Sequence, residues 1–290
     1  MNLMKFKPVY FLLSLTVLIP GLISLITFGL KPAIDFTGGS LLAVQFSDQA
    51  QLPNTQQAQQ LLAPLYQLSS VQASEENQLI LRGKQLSNEQ KEQVLAKLGS
   101  QYGPVTAVRF AVVGPALGQE LLIKTLTAVV IVAGLIMLYV WKQFQELKYG
   151  VCAILAMFHD SLVLLGSFSL LGYFWGIEVD VLFVTALLTT LSFSIHDTIV
   201  VYDRIRELKQ KNRQQDLAVV ANTAVLETLS RSINNSVTIV LMLLALVLLG
   251  GTTIRWFAVA LLIGAITGTY SSTFTAVPLL LLWENKLKKR

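Results

Sequence analysis

The sequence predicts an α-helical membrane protein with six transmembrane helices and one small α+β domain on the side of the membrane opposite both termini. Three observations carry this expectation. Apolar residues make up 53% of the 290 and charged residues only 13%, against roughly a quarter charged in an ordinary soluble domain. Apolar stretches near the ~20 residues that a helix needs to cross the hydrocarbon core recur along the whole chain. One long hydrophilic stretch, 35–120, separates the first of them from the rest.

The first span, Val9 to Leu30, carries no charge. It is too long for the apolar region of a signal peptide and no A-x-A-like site follows, so it is expected to stay as a helix, kinked at Pro20 in a manner membrane helices tolerate. The second is Thr125 to Trp141 and the third Tyr149 to about Gly172, interrupted by His159 and Asp160. The fourth, Val181 to Tyr202, contains His196 and Asp197; the fifth and sixth, Ser232 to Leu249 and Trp256 to Trp283, are joined by the short turn Gly250 to Arg255. The segments are therefore 1–34, an N-terminus and first helix; 35–120, the extramembrane domain; and 121–290, five helices with a loop at 203–231 and a basic tail.

Basic residues set the orientation. Lys5, Lys7, Lys142, Lys148, the run from Arg204 to Arg231 and the tail Lys286 to Arg290 fall on one side, and Arg255 alone occupies the opposite short loops. Both termini are expected to be cytoplasmic. The net charge of +5 then reflects topology rather than a nucleic-acid partner. Cys152, the only cysteine, lies inside the third helix, which excludes an intrachain disulfide.

Within 35–120 the periodicity changes in an ordered way. Gly39 to Phe46 alternates as a strand; Asn54 to Leu68 places Ala58, Leu61, Leu62 and Leu65 on one helical face; VQAS and QLILRG read as two short strands. Ser87 with Gln90 makes a capping box for a helix that buries Val94, Leu95 and Leu98, and Val105 to Val113 closes the set. The order, strand, helix, strand, strand, helix, strand, is the ferredoxin-like arrangement. In the loop 203–231 the charged run from Asp203 is expected to be solvated or to meet lipid headgroups, and Asp216 is expected to cap an interfacial or extended helix leading into the fifth span.

Neither a nucleotide-binding loop nor a metal-spaced His/Cys cluster is present in the sequence: Gly38 and Gly39 lack phosphate-loop spacing, and there are only two histidines. No cofactor, no metal and no covalent catalysis are expected. The chemistry rests on ionisable groups inside the spans, which cost at least ~2.5 kcal/mol each at a helix centre and so mark function or interior packing. Asp197, with Thr190 and Ser194 at i−7 and i−3, forms a polar stripe on an apolar helix; it is an ion carrier or part of a packing network. Arg231 opens the fifth span with Asn234, Asn235 and Thr238 at i+3, i+4 and i+7. Alone it would snorkel to headgroups; opposite Asp197 it would form a pair able to switch by binding a proton. Asp160 is either a second proton relay or an anchor between helices. His159 and His196 are weaker candidates, because neighbours i and i+1 on a helix point in different directions. Gly264, Gly268 and Ser272 form a small-residue ridge for close helix packing.

The motifs AIDFTGGS, VVGPALGQEL, FHD, SIHDTIVVYDRIRE, LSRS and LLGG occur in this order over essentially the full chain, and together they resemble the SecF members of the SecD/SecF family, within the resistance-nodulation-division superfamily. The resemblance implies a half-transporter that joins a SecD-like subunit in a twelve-helix unit, uses protons, or sodium in some members, and assists passage of precursor proteins through the SecYEG translocon. It implies ion passage at Asp197 and Arg231, and places Asp35, Gly38 and Gly39 in the motif after the first helix. Three positions depart from the family pattern: Ser192-Phe193 stand where Gly-Tyr is usual, and His196 where Asn is. The rival readings are a membrane scaffold or assembly factor, and half of a lipid or drug exporter of the same superfamily.

The orientation is testable by fusion. A reporter after Arg290 or within Lys209 to Arg213 should report cytoplasm, and one at Ser74 the opposite side; a cytoplasmic Ser74 would reverse the assignment.

Overall fold

In the computed structural model, which describes residues 3–47, 53–74, 77–144 and 146–288, the hydrophilic stretch folds through period-two burial. β1 (Gly39–Phe46) turns Leu42, Val44 and Phe46 to one face, and β3 (Gln78–Gly83) turns Leu79 and Leu81 to the same face. Across that face lie α3 (Thr55–Leu62), with Ala58 and Leu62, and α4 (Asn88–Tyr102), with Val94 and Leu98. β2 (Leu68–Ser74) and β4 (Val105–Val113) complete an antiparallel sheet in the order β2-β3-β1-β4. A bulge lies between Ala43 and Val44, opposite Arg109 and Ala107 of β4. The capping box at Ser87 forms, with Gln90 N donating to Ser87 Oγ at 3.2 Å and Ser87 N to Gln90 Oε1 at 3.0 Å. The helix expected over Asn54 to Leu68 ends earlier. Pro64 has no N–H to continue the ladder, so α3 stops at Leu62 and Leu65 is turned outward.

A short α2 (Ile34–Thr37) leads into this sheet, and β4 leads out of it through Gly114 directly into α5 (Pro115–Gln143). The compact unit is Pro32–Thr127, so it takes in the first turns of α5. Met1–Lys31 and Ala128–Arg290 form the second unit.

Among the described residues, six helical stretches are long and apolar enough to cross a membrane. They contain α1 (Lys7–Thr27), continuous through Pro20, α5, α6 (Leu147–Trp175), α7 (Val181–Lys211), α8 (Leu217–Leu249), and a last stretch made of α9 (Thr252–Ser271), a π turn (Ser272–Ala276) and α10 (Val277–Lys288). Lys289 and Arg290 of the basic tail lie outside the described residues. Of the stretch 203–231, the helix expected after Asp216 forms, since α8 begins at Leu217 with Asp216 at its N-cap, while the charged run from Asp203, expected to be solvated loop, is helical too: α7 runs on to Lys211, and only 212–216 is non-helical. Intrahelical pairs support that extension, with Arg204 on Glu207, Arg206 on Asp203 and Lys211 on Glu207.

α6 and α7 form the centre of the membrane unit. Against α6, α1 crosses so closely that a Cβ added to Gly166 would lie 2.6 Å from the Cα of Gly21. Along the same contact Ser24 Oγ and Ser169 Oγ are 2.8 Å apart, and Ser169 donates to Gly29 O at 2.7 Å. At the other end Phe144, Tyr149 and Tyr202 pack edge and face with centroids 5.4 to 5.9 Å apart. Cys152 is buried in the same cluster.

In the Pro32–Thr127 unit Tyr66 is buried, its hydroxyl 2.6 Å from Ser40 Oγ and donating to Ser40 O at 3.1 Å, while Ser40 Oγ donates to Lys84 O at 2.7 Å. Burial pushes the Tyr66 phenol above its ordinary value of 10.0, opposed by the Ser40 hydrogen bond. The folded state therefore holds this proton more tightly than the unfolded state, and the contribution is full below about pH 10 and falls as pH rises beyond it. Tyr66→Phe should cost about 1 kcal/mol at pH 7, and the difference from the parent should shrink above pH 10. Protection of this unit from subtilisin in the full chain, followed through heating at pH 7 to 11, measures both.

Candidate functional site

α7 begins where Asp180 accepts the N–H of Phe183 at 2.8 Å, and its apolar sequence is broken on one side by Thr190, Ser194, Asp197 and Thr198. All four are buried. The Thr190 and Thr198 hydroxyls return to the carbonyls of Ala186 and Ser194, at 2.9 and 3.0 Å. Thr190 and Ser194 face the small-residue ridge of α9. A Cβ on Gly264 would lie 2.1 Å from Thr190 Oγ1, and one on Gly268 would lie 3.3 Å from the Cα of Ser194. Only glycine at 264 lets the two helices meet at this separation.

Asp197 accepts the hydroxyl of Ser232 on α8 at 2.5 Å. Ser232 O in turn accepts Ser236 Oγ at 2.8 Å, and Ser236 Oγ meets Thr269 Oγ1 of α9 at 2.5 Å. A polar chain thus crosses from α7 through α8 to α9. Arg231 is not part of it. With Ser232 turned inward, its neighbour Arg231 falls on the exposed flank of α8, beside Asn234 and Asn235, which are exposed too. Among the described residues no ion pair joins Arg231 to Asp197. His196 is likewise exposed, on the side of α7 away from its neighbour Asp197.

A second buried cluster lies at mid-length of α6. Asp160 accepts the Ser271 hydroxyl of α9 at Oδ2, 2.5 Å, and its Oδ1 is 2.9 Å from His159 Nδ1. The imidazole folds back on its neighbour's carboxyl, against the expectation that adjacent side chains diverge. Its Nε2 is buried with no hydrogen-bond partner, as is Ser194 Oγ. Thr269 and Ser271, two residues apart on α9, anchor the two clusters. Ser232, Ser236, Thr269 and Ser271 were not singled out by the sequence; a serine spaced i, i+4 at the start of an apolar span, as at 232 and 236, is the signal that could have found the first pair.

Asp35 sits in the first turn of α2. The two glycines after it serve backbone packing inside the Pro32–Thr127 unit. Gly38 (φ +73°) and Gly39 (φ +118°) adopt the region that disfavours side chains. A Cβ on Gly39 would lie 2.4 Å from Gly83 O, one on Gly38 would lie 2.8 Å from the Cα of Pro115, and one on Gly118 would lie 2.8 Å from Gly38 N. The start of β1 is thereby clasped against the start of α5.

Comparison with known proteins places this arrangement. The family model "Protein export membrane protein SecD/SecF, C-terminal" matches residues 92–286, and "SecD/SecF GG Motif" matches 23–50. The chain belongs to the SecD/SecF family. The protein translocase subunit SecF of Thermobaculum terrenum is 39% identical, with 98% of this chain and 94% of that protein covered. The SecF of Anaerolinea thermophila is 40% identical over the same shares. The crystal structure of SecDF from Thermus thermophilus, titled a translocon-associated membrane protein, superposes with a TM-score of 0.88 at 31% identity over 98% of this chain; this chain spans 39% of the length of that one. Both buried carboxyls fall in the first matched SecD/SecF region and the glycine clasp's Gly38 and Gly39 in the second.

The α7–α9 contact gives a direct test. Gly264→Ala should lower thermal stability in detergent by about 1 to 3 kcal/mol through overpacking, and Thr190→Ala in the same chain should recover part of the loss, since it removes Oγ1 and Cγ2 but leaves the Thr190 Cβ 2.9 Å from the added methyl. A Gly264→Ala variant as stable as the parent would mean that the helices do not meet as closely as described.

Proposed function

We propose that this chain is a SecF-type subunit of the Sec protein-export machinery, one half of a twelve-helix unit that draws on an ion gradient to assist precursor proteins across the membrane. The observation that carries the reading is the buried carboxyl of Asp197, linked through Ser232, Ser236 and Thr269 across three helices. A carboxyl at such depth is expensive and is kept where it acts. Family membership and the SecF names of relatives matched over nearly their full length point the same way.

In this reading Asp197 is the ion carrier, Asp160 a second group on the path, and Thr190 and Ser194 the polar lining of α7. Protons are the coupling ion, with sodium the alternative that the assay below separates. Arg231, Asn234 and Asn235 lie on an exposed flank of a membrane helix, and lipid is a poor neighbour for them; a SecD-like half covers that flank and brings its own groups to Arg231. That this chain aligns with 39% of a SecDF chain supports a SecD-like half as its partner. The Pro32–Thr127 unit, with its β2-β3-β1-β4 order, is a ferredoxin-like domain outside the cytoplasm, and both termini are cytoplasmic in the bacterial inner membrane. SecYEG and the translocating precursor are the further partners.

Asp197→Asn tests the reading against a scaffold or assembly role, because the amide keeps shape and much of the hydrogen bonding but cannot titrate. In inverted vesicles with a defined gradient, the variant at normal levels should assemble and lose gradient-stimulated export. Arg231→Lys should also impair it, since a point charge does not reproduce the guanidinium fork. Full response to the gradient by the Asn variant would make Asp197 structural, and a response to sodium alone would reassign the ion.

A further inference from the structure

α9 leaves the α register at Ser272–Ala276, and α10 resumes it at Val277. π turns are rare and occur mostly as single turns within α-helices. Two features hold this one. Pro278 has no N–H to give to the carbonyl of Phe274, and its ring crowds that carbonyl, so the α ladder is weakened here. Three other helices also grip the turn. Asp160 of α6 accepts the hydroxyl of Ser271 at 2.5 Å, Ser14 of α1 meets Thr275 Oγ1 at 3.4 Å, and Tyr202 of α7 donates to Ala276 O at 2.7 Å. Ser271, Ser272, Thr273, Thr275 and Ala276 are buried, so water does not compete for these bonds.

The proline penalises the α register and the wide turn is itself irregular, so the two arrangements of one backbone lie close in energy and the side-chain bonds choose between them. We propose that this turn is a two-register element and that Ser271 is a positioning residue tying its register to Asp160. While Oδ2 holds the Ser271 hydroxyl, the turn stays in the π register. When that bond is released, the turn relaxes toward α, and α10 advances by one residue relative to α9, about 1.5 Å along the axis and 100° around it. α10 carries Glu284, which binds Lys148 at the start of α6 at 3.2 Å, so the advance reaches the basic end of the bundle.

The inference rests on the reading of Asp160 as a group on the ion path, but its test uses no gradient, so either can fail while the other stands. In the full chain, in lipid bilayers and with the buried Cys152 replaced by Ser, spin labels at Ile266→Cys and Leu282→Cys, both exposed positions on either side of the turn, give a distance distribution by pulsed electron resonance. Deletion of Thr273 removes the extra residue and supplies the α-register reference. Ser271→Ala should move the distribution toward that reference, and Ser271→Thr, which keeps the hydroxyl, should leave it at the parent's. If the deletion variant does not fold, parent and Ser271→Ala still decide the matter. A Ser271→Ala distribution identical to the parent's would overturn the proposal, and so would a deletion variant indistinguishable from the parent.

Discussion

Hydrocarbon offers no hydrogen bond, so polar side chains within a span look for partners on another helix or on their own backbone, and the membrane unit is arranged around that demand, with His159 Nε2 and Ser194 Oγ left unmet. Asp197 takes Ser232 from α8, Asp160 takes Ser271 from α9, and Thr190 returns to its own helix. These bonds need close backbones, and close backbones need small residues. Gly264 admits Thr190, and Gly21 with Gly166 admits the α1–α6 crossing, along which Ser24 and Ser169 then meet. The glycines and the hydroxyls are one device: the first sets the separation at which the second can be satisfied.

The same logic explains which parts of the molecule were legible in the sequence. Strand alternation, the capping box at Ser87 and the spans are local patterns, and the structure places β1, β3 and β4 over the expected residues. The ridge Gly264, Gly268, Ser272 and the stripe Thr190, Ser194, Asp197 were each readable as one face of one helix. That the two face each other was not, because it depends on which of several helices packs on α7. α3 stops short of the expected Leu68 because Pro64 breaks the helical ladder, a local signal that the apolar period hides. The helix after Asp216 is legible from its cap and apolar pattern, but the charged run from Asp203 reads as loop because its charges are incompatible with a span; charge at i, i+3 and i, i+4 stabilises helix as well as it solvates loop, and α7 continues to Lys211.

Partnership at Asp197 shows where one-dimensional reading stops. Charge complementarity points to Arg231, the cation that opens the next span, but Ser232 is the residue that α8 presents. A rotation of about 100° separates adjacent residues on a helix, so a face can be assigned to Arg231 or to Ser232 but not to both. Hydrophobicity does not distinguish them, since Arg231 and Ser232 are both polar and the turn RSINNS has only Ile233 as an apolar residue. His159 is the converse case. Backbone direction argues that it should diverge from Asp160, and a long, rotatable side chain with a nitrogen to satisfy overrides that argument.

α8 is therefore a helix with two polar faces of different standing. Ser232 and Ser236 are buried against α7 and α9, while Arg231, Asn234 and Asn235 on the same turns are exposed. Had α8 needed only to close the polar chain from Asp197, the second face could have been apolar like the exposed side of α5, where Ile123, Leu126, Val130 and Leu135 are open. An apolar exposed side suits lipid, and a polar one at the start of a span suits protein or water. On the proposed reading this asymmetry locates the partner half against α8 rather than α5, and it makes Arg231 a residue of the interface between halves. Its influence on Asp197 would then pass through Ser232 and the rotation of α8, without direct contact between the two charges.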